Sequence, residues 1–304
     1  MPSLSVVRAA NLASVPRYRP TALFLGGTSG VGQAVAEALA RVTNGNSHIV
    51  LCGRNKSAAD KIIEGLPQTS NSKYEFEQCD ATLMSNVRST TSSLAGRLTK
   101  LNYLVLSPGF LTLKGRDETS EGMDKKLALN YYARWRFVYD LMPLLEKAKA
   151  QGEEARVLTV LAAGTNGKLD ESNLDLKKGY GLKAAADNAT AMNDYMVEDF
   201  AAQHPNMAFI HAYPGIVRTP LLTDFHWSIK ILMPLVHLIS VSPAECAQWM
   251  LYALFDPKFT KGPFFITLPR NNHAEDAGAN KYSTPALRKL VWEHSLTRTS
   301  EART

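Results

Sequence analysis

The sequence predicts an α/β fold: one doubly wound domain on a seven-stranded, mainly parallel sheet. Two observations carry this. Apolar runs of strand length alternate strictly with stretches of helical spacing. Most of those runs are continuously apolar, as in strands covered on both faces. That order of elements requires right-handed crossovers, which place helices on both sides of the sheet.

The seven strand-like runs are 22–25, 49–52, 74–78, 103–106, 157–161, 208–212 and 264–268. Between the first two, Val31, Ala34, Val35, Ala38, Leu39 and Val42 recur on one helical face. Further helical stretches cover 57–65, 84–99, 121–142, 180–203 and 243–255. The domain is therefore expected over 21–270, including a lid at about 220–241. Residues 1–20 form an N-terminal arm and 271–304 a C-terminal tail.

With 304 residues, 45% hydrophobic and 20% charged, the chain can bury a full core, and disorder or fibrous repeats are excluded. The formal charge of +6 resides in the ends. Residues 1–20 carry Arg8, Arg17 and Arg19 without an acid, and 281–304 carry five basic residues against Glu293 and Glu301. Of the 34 basic and 28 acidic residues, 26 of each sign remain between those segments, so the body has no basic excess for nucleic acid. Three scattered cysteines (Cys52, Cys79 and Cys246) suit small buried side chains in a reducing compartment, and a cytoplasmic location is expected. Cys52 and Cys79 end neighbouring strands and are expected near each other. No apolar run reaches 18 residues, so no transmembrane segment is expected. The acid-free N-terminus, with its Ser and Arg, reads as an arm packed on the domain rather than a transit peptide. No His, Cys, Asp or Glu grouping has metal-ligand spacing, and no Gly-x-Ser-x-Gly elbow exists.

Directly after the first strand runs Leu25-Gly26-Gly27-Thr28-Ser29-Gly30-Val31-Gly32, opening into the amphipathic helix. Strand, glycine turn and helix in that order form a Rossmann-like dinucleotide fingerprint. Gly26 permits the tight turn, Gly30 lets backbone approach a pyrophosphate, and Gly32 lets helix pack close to strand. Thr28, Ser29 and Val31 complete the turn, whose helix N-terminus offers amides and partial positive charge to phosphate. The second strand ends Cys52-Gly53-Arg54-Asn55. An acid there would bind the ribose 2′-hydroxyl, whereas Arg54 suits a 2′-phosphate and so NADP(H). Asp80, just past the third strand, can cap the following helix or bind adenine.

These motifs, with Asn130, Tyr180 and the run Tyr213-Pro214-Gly215-Ile216-Val217-Arg218-Thr219-Pro220, resemble the short-chain dehydrogenase/reductase family over roughly 20–270. The stretch Lys177-Lys178-Gly179-Tyr180-Gly181-Leu182-Lys183 resembles a fungal, retinol-dehydrogenase-like branch found in natural-product pathways, that is, secondary metabolism. The resemblance implies Tyr180 as the group that exchanges a proton with the substrate oxygen and Asn130 as holder of a relay water. It also implies a Lys that binds the nicotinamide ribose and lowers the Tyr pKa. Gly109 and Thr219 would face the cofactor.

The match is incomplete. The family's Lys stands four residues after its Tyr, but position 184 is Ala and Lys183 stands three after. On a helix, three and four steps land at about 300° and about 40°, on opposite flanks of Tyr180. Lys183 would have to bend across. The fifth strand should end in a catalytic Ser, yet Leu161 and Ala162 stand there, and neither Thr159 nor Thr165 is a convincing substitute. The usual Asn-Ala-Gly after the fourth strand is Ser107-Pro108-Gly109. His211 reads as a satisfied core residue. His226, Trp227 and His237 flank the expected lid, which suits an apolar ligand. These features point to an NADPH-dependent oxidoreductase that reduces a carbonyl or enone of an apolar small molecule. The rival is a non-redox isomerase, dehydratase or cyclase on the same fold, motivated by the missing Ser and shifted Lys. The family often pairs through its two long helices, here about 121–142 and 180–203, so a homodimer is a further expectation.

Overall fold

A computed structural model describes residues 3–110, 112–165, 167–219, 240–268 and 275–300. The expected lid, with His226, Trp227 and His237, falls almost wholly outside them. Seven parallel strands form the sheet: β1 (Thr21–Leu25), β2 (His48–Gly53), β3 (Lys73–Gln78), β4 (Tyr103–Leu106), β5 (Arg156–Val160), β6 (Ala208–Tyr213) and β7 (Gly262–Thr267). A two-residue β8 (Glu275–Asp276) adds to β7 in antiparallel sense, giving the order β3-β2-β1-β4-β5-β6-β7-β8. The chain reverses direction across the sheet between β1 and β4, where an open α/β sheet leaves a crevice at its strand ends.

Period-two alternation splits the core into two layers. From β1, Leu23 and Leu25 face α4 (Met84–Arg97), α6 (Ala133–Ala150) and α7 (Leu182–Gln203), while Ala22 and Phe24 face α2 (Gly30–Val42), α3 (Lys56–Glu64) and α8 (Pro243–Phe255). α5 (Lys125–Leu127) leads through a π turn at Ala128–Tyr132 into α6. The arm is a helix, α1 (Leu4–Ala13), docked on α8: Val7 is fully buried and Asn11 Nδ2 donates to the Gln248 carbonyl at 2.8 Å.

The stretch expected as a tail carries α9 (Pro285–Ser300). Its apolar side is thin, with Leu287, Val291 and Trp292 among charged neighbours, so the hydrophobic pattern alone does not announce it. Tertiary contacts hold it. Trp292 meets Trp135, Phe200 and Tyr139 edge-on, and Arg288 pairs with Glu198 and Asp199. Tyr132 bonds both His294 and Asp175. α9 thus lies on both α6 and α7, the helices to which the resemblance assigns subunit pairing.

Candidate functional site

A 560 Å³ cavity opens at the carboxyl ends of the strands, and the glycine turn forms one wall. Gly26 has φ +83° and Gly30 φ +60°, a backbone region that glycine enters without Cβ strain. A Cβ on Gly26 would stand 2.8 Å from the Pro108 nitrogen, and one on Gly32 would press into Ser107 and the Gly26 carbonyl. Gly32 therefore lies behind the wall, packing helix to strand, while Gly26, Thr28, Ser29, Gly30 and Val31 line it. Ser29 is the N-cap of α2 but its side chain caps no amide, so the first-turn N–H groups face the cavity unclaimed by their own cap. A diphosphate fits such a cradle. Arg54, Gly109 and Thr219 line it too, with Thr219 beside Gly30.

Asp80 does not line the cavity: its carboxylate accepts from Thr82 N at 3.1 Å and Thr82 Oγ1 at 2.8 Å. Nor does it cap α4. Glu121 does, accepting from Met84 N at 2.5 Å and Ser85 N at 2.9 Å. That pairing spans the fold, and no local spacing reveals it. Cys52 and Cys79 are neighbouring buried thiols, and Cys79 reaches the cavity wall.

The other end of the cavity departs from expectation. Asn130 is present, in the π turn, with its carbonyl accepting from Asn193 Nδ2 at 2.7 Å. Tyr180 is absent from the lining. α7 starts at Leu182, after Gly179 at φ +60° and an extended Gly181 N-cap, so Tyr180 precedes the helix and the helical offset to Lys183 does not apply. The Tyr180 hydroxyl instead donates to Asp124 Oδ1 at 3.3 Å and accepts from Lys126 Nζ at 3.1 Å, tying the segment before α7 to the start of α5. Burial, with the Asp124 charge beside it, pushes this phenol up to about 12, away from a proton carrier's range. Lys183 is 88% exposed and pairs with Asp187. The structure therefore does not bring Tyr180 and Lys183 to Asn130.

The α7 residues that do face the cavity are Ala186, Ala189 and Thr190. Ala186 and Thr190 stand four apart, the spacing of the family's Tyr and Lys, and neither is ionisable. Ala162 lines the wall where the Ser was expected. Behind it, the Ala162 amide donates to His211 Nε2 at 3.2 Å, which fixes the Nδ1–H tautomer that donates to Asp194 at 2.6 Å. Asn280 then bonds the second Asp194 oxygen at 3.2 Å. His211 is fully buried and satisfied, as the sequence suggested. Thr159 is occupied inside the strand, donating to Asn193 and accepting from Arg134, both at 2.8 Å.

Sequence reasoning missed Arg134, which lines the cavity while 1% exposed. The available signal was two arginines, Arg134 and Arg136, inside the otherwise aromatic and apolar run 131–138. Among the described residues, no His, Cys, Asp or Glu group could hold a metal, and no helix is long and apolar enough to cross a membrane.

Residues 20–168 match the short chain dehydrogenase family. An oxidoreductase of Emericella nidulans is 36% identical over 227 residues, covering 74% of this chain and 66% of its own length. The chain thus spans just under two thirds of that relative. The short-chain dehydrogenase/reductase SAT2 of Stachybotrys chartarum is 31% identical, covering 83% of this chain and 77% of its own. Among solved structures, an alcohol dehydrogenase from the archaeon Thermococcus sibiricus, complexed with 5-hydroxy-NADP, superposes with a TM-score of 0.60 at 19% identity. It covers 88% of this chain and 99% of that one, which is a likeness of fold.

Proposed function

We propose that this chain, which belongs to the short-chain dehydrogenase/reductase family, is an NADPH-dependent oxidoreductase acting on an apolar small molecule of secondary metabolism. The glycine cradle opening onto a 560 Å³ cavity carries the reading. The Gly26–Val31 turn and the first-turn amides of α2 would hold the diphosphate, Arg54 the 2′-phosphate, and Thr219 and Gly109 the nicotinamide end. When bound, the dinucleotide supplies hydride chemistry.

The chain's own residues bind and orient. Leu161, Ala162, Ala186, Ala189 and Leu129 give the substrate end an apolar wall, which favours a carbonyl or enone on a hydrocarbon framework. Asn130 supplies a side-chain amide, held in place by the Asn193 bond to its carbonyl. Both reported relatives carry redox names, which supports reduction over the isomerase reading.

The test is NADPH binding followed by fluorescence, then NADPH consumption against a panel of apolar ketones and enones. Saturable NADPH binding with weaker NADH binding is expected. No binding at millimolar NADPH would end this reading.

A further inference from the structure

Arg134 is a buried cation with no counter-ion among the described residues. Its guanidinium donates to the Leu129 carbonyl at 3.3 Å, Thr159 Oγ1 at 2.8 Å, the Val160 carbonyl at 2.9 Å and the Pro108 carbonyl at 2.7 Å. Those bonds use four of its five N–H groups and leave one on Nη2. No carboxylate among the described residues lies within ion-pair distance, whereas the other deeply buried arginine, Arg156, has Glu154 at 3.6 Å. Burial alone pushes the Arg134 guanidinium down to about 9, which still leaves it charged at neutral pH.

An unpaired charge held in the interior is costly, and a chain keeps one cheaply only where something else neutralises it. The described surroundings supply no acid. Among the described residues, the ionisable side chains lining the cavity are Arg54, Arg134 and Cys79, and none is a carboxylate. Thr159, which the guanidinium bonds, and Asn193, which Thr159 bonds in turn, are neutral. Asp194 is committed to His211 and Asn280. On the same wall, Ala162, Ala186 and Thr190 offer no acidic proton to an oxygen placed among them.

We infer that Arg134 is an anion-binding residue of this cavity, and that its ligand presents an oxygen carrying negative charge, the enolate or phenolate of a weakly acidic compound. This rests on the proposed small-molecule cavity and narrows its substrate class from neutral carbonyls to enolisable or phenolic ones. A point charge stabilises an oxyanion far more than the neutral acid, so the site selects the ionised form. A residue that merely clamps the ends of β4 and β5 through the Pro108 and Val160 carbonyls would show no such selection.

The probe is 4-nitrophenol, whose phenolate absorbs visible light and whose phenol does not. It is titrated into the full-length protein, with and without saturating NADP, below the pH at which the free probe ionises. The bound probe should be phenolate, with its apparent pKa lowered by about one unit or more, a preference of roughly tenfold. Arg134→Lys should retain the preference and Arg134→Gln should lose it. Ala186→Trp, which fills the cavity, should abolish binding. If Arg134→Gln does not fold, Ala162→Asp decides: a carboxylate on that wall should leave only neutral phenol bound. Neutral phenol in the wild-type protein, or a phenolate preference surviving Arg134→Gln or Ala162→Asp, would overturn the inference. NADPH binding is measured alongside. Its absence would end the dinucleotide reading without touching the probe result, and a bound cofactor with neutral phenol would end only this one.

Discussion

Removing the Trp292 indole should expose how much of the fold depends on α9. The ring sits 4.9 Å from Phe200, 5.2 Å from Trp135 and 6.2 Å from Tyr139, centroid to centroid. Large aromatic-to-Ala changes in cores cost about 3–5 kcal/mol, and Trp292 is only partly buried, so about 3 kcal/mol is expected for Trp292→Ala. Unfolding entropy near 2.1 cal/mol/K per residue, taken over 304 residues, comes to roughly 0.6 kcal/mol/K. The expected fall in Tm is therefore about 5 °C by scanning calorimetry. Lys289→Ala, on the exposed side of the same helix with its side chain 74% exposed, should move Tm by less than about 1 °C. A Trp292→Ala shift as small as that of the Lys289 control would refute the packing argument. Light scattering on the same samples checks a second consequence. With α9 covering α6 and α7, the intact chain should run as a monomer, and deletion of residues 285–304 should make it self-associate.

Other outcomes follow from single contacts. Gly32→Ala should cost about 1–3 kcal/mol by overpacking against Ser107 and the Gly26 carbonyl, and should raise the NADPH Kd in a fluorescence titration. Arg54→Ala should weaken NADPH by about 1.5–3 kcal/mol while leaving NADH binding nearly unchanged. Tyr180→Phe and Lys183→Ala should each change NADPH binding and turnover less than about threefold, because neither side chain lines the cavity; a hundredfold loss in either would contradict the site geometry. Burial alone would raise the Asp175 carboxyl, but the His294 bond, Arg298 and the Tyr132 hydroxyl hold it well below the usual carboxylate range. Its contribution to stability is complete above about pH 4 and is lost as pH falls below that, since protonation breaks the pairs. Urea midpoints between pH 2.5 and 5 should fall more steeply with acid for the parent protein than for Asp175→Asn.

The sheet was legible because its signals are local. β1 through β7 fall within two residues of the strand-like runs at either end: most are apolar throughout because both faces are buried, and the edge strand β3 alternates Tyr74 and Phe76 with Glu75 and Glu77. The glycine turn was legible for a related reason: positive φ and close approach admit almost no other residue, and the requirement sits in seven consecutive positions. The acid–base site was not legible in this way. Reading Tyr180 and Lys183 as a pair assumed that the helix had already begun, and a glycine-flanked start at Leu182 removed both from the cavity.

The alternation of elements, the phosphate cradle and the neutral body between charged ends can be read from the chain alone, because each follows from residues close together in it. Packing between distant segments settles that Ala186 and Thr190 face the cavity, that α9 covers α6 and α7, and that Arg134 has no acid within ion-pair distance among the described residues. Those three depend on which side chains from distant segments meet, and on which charges are then left without water or a partner. A single residue's neighbours in sequence carry no record of that.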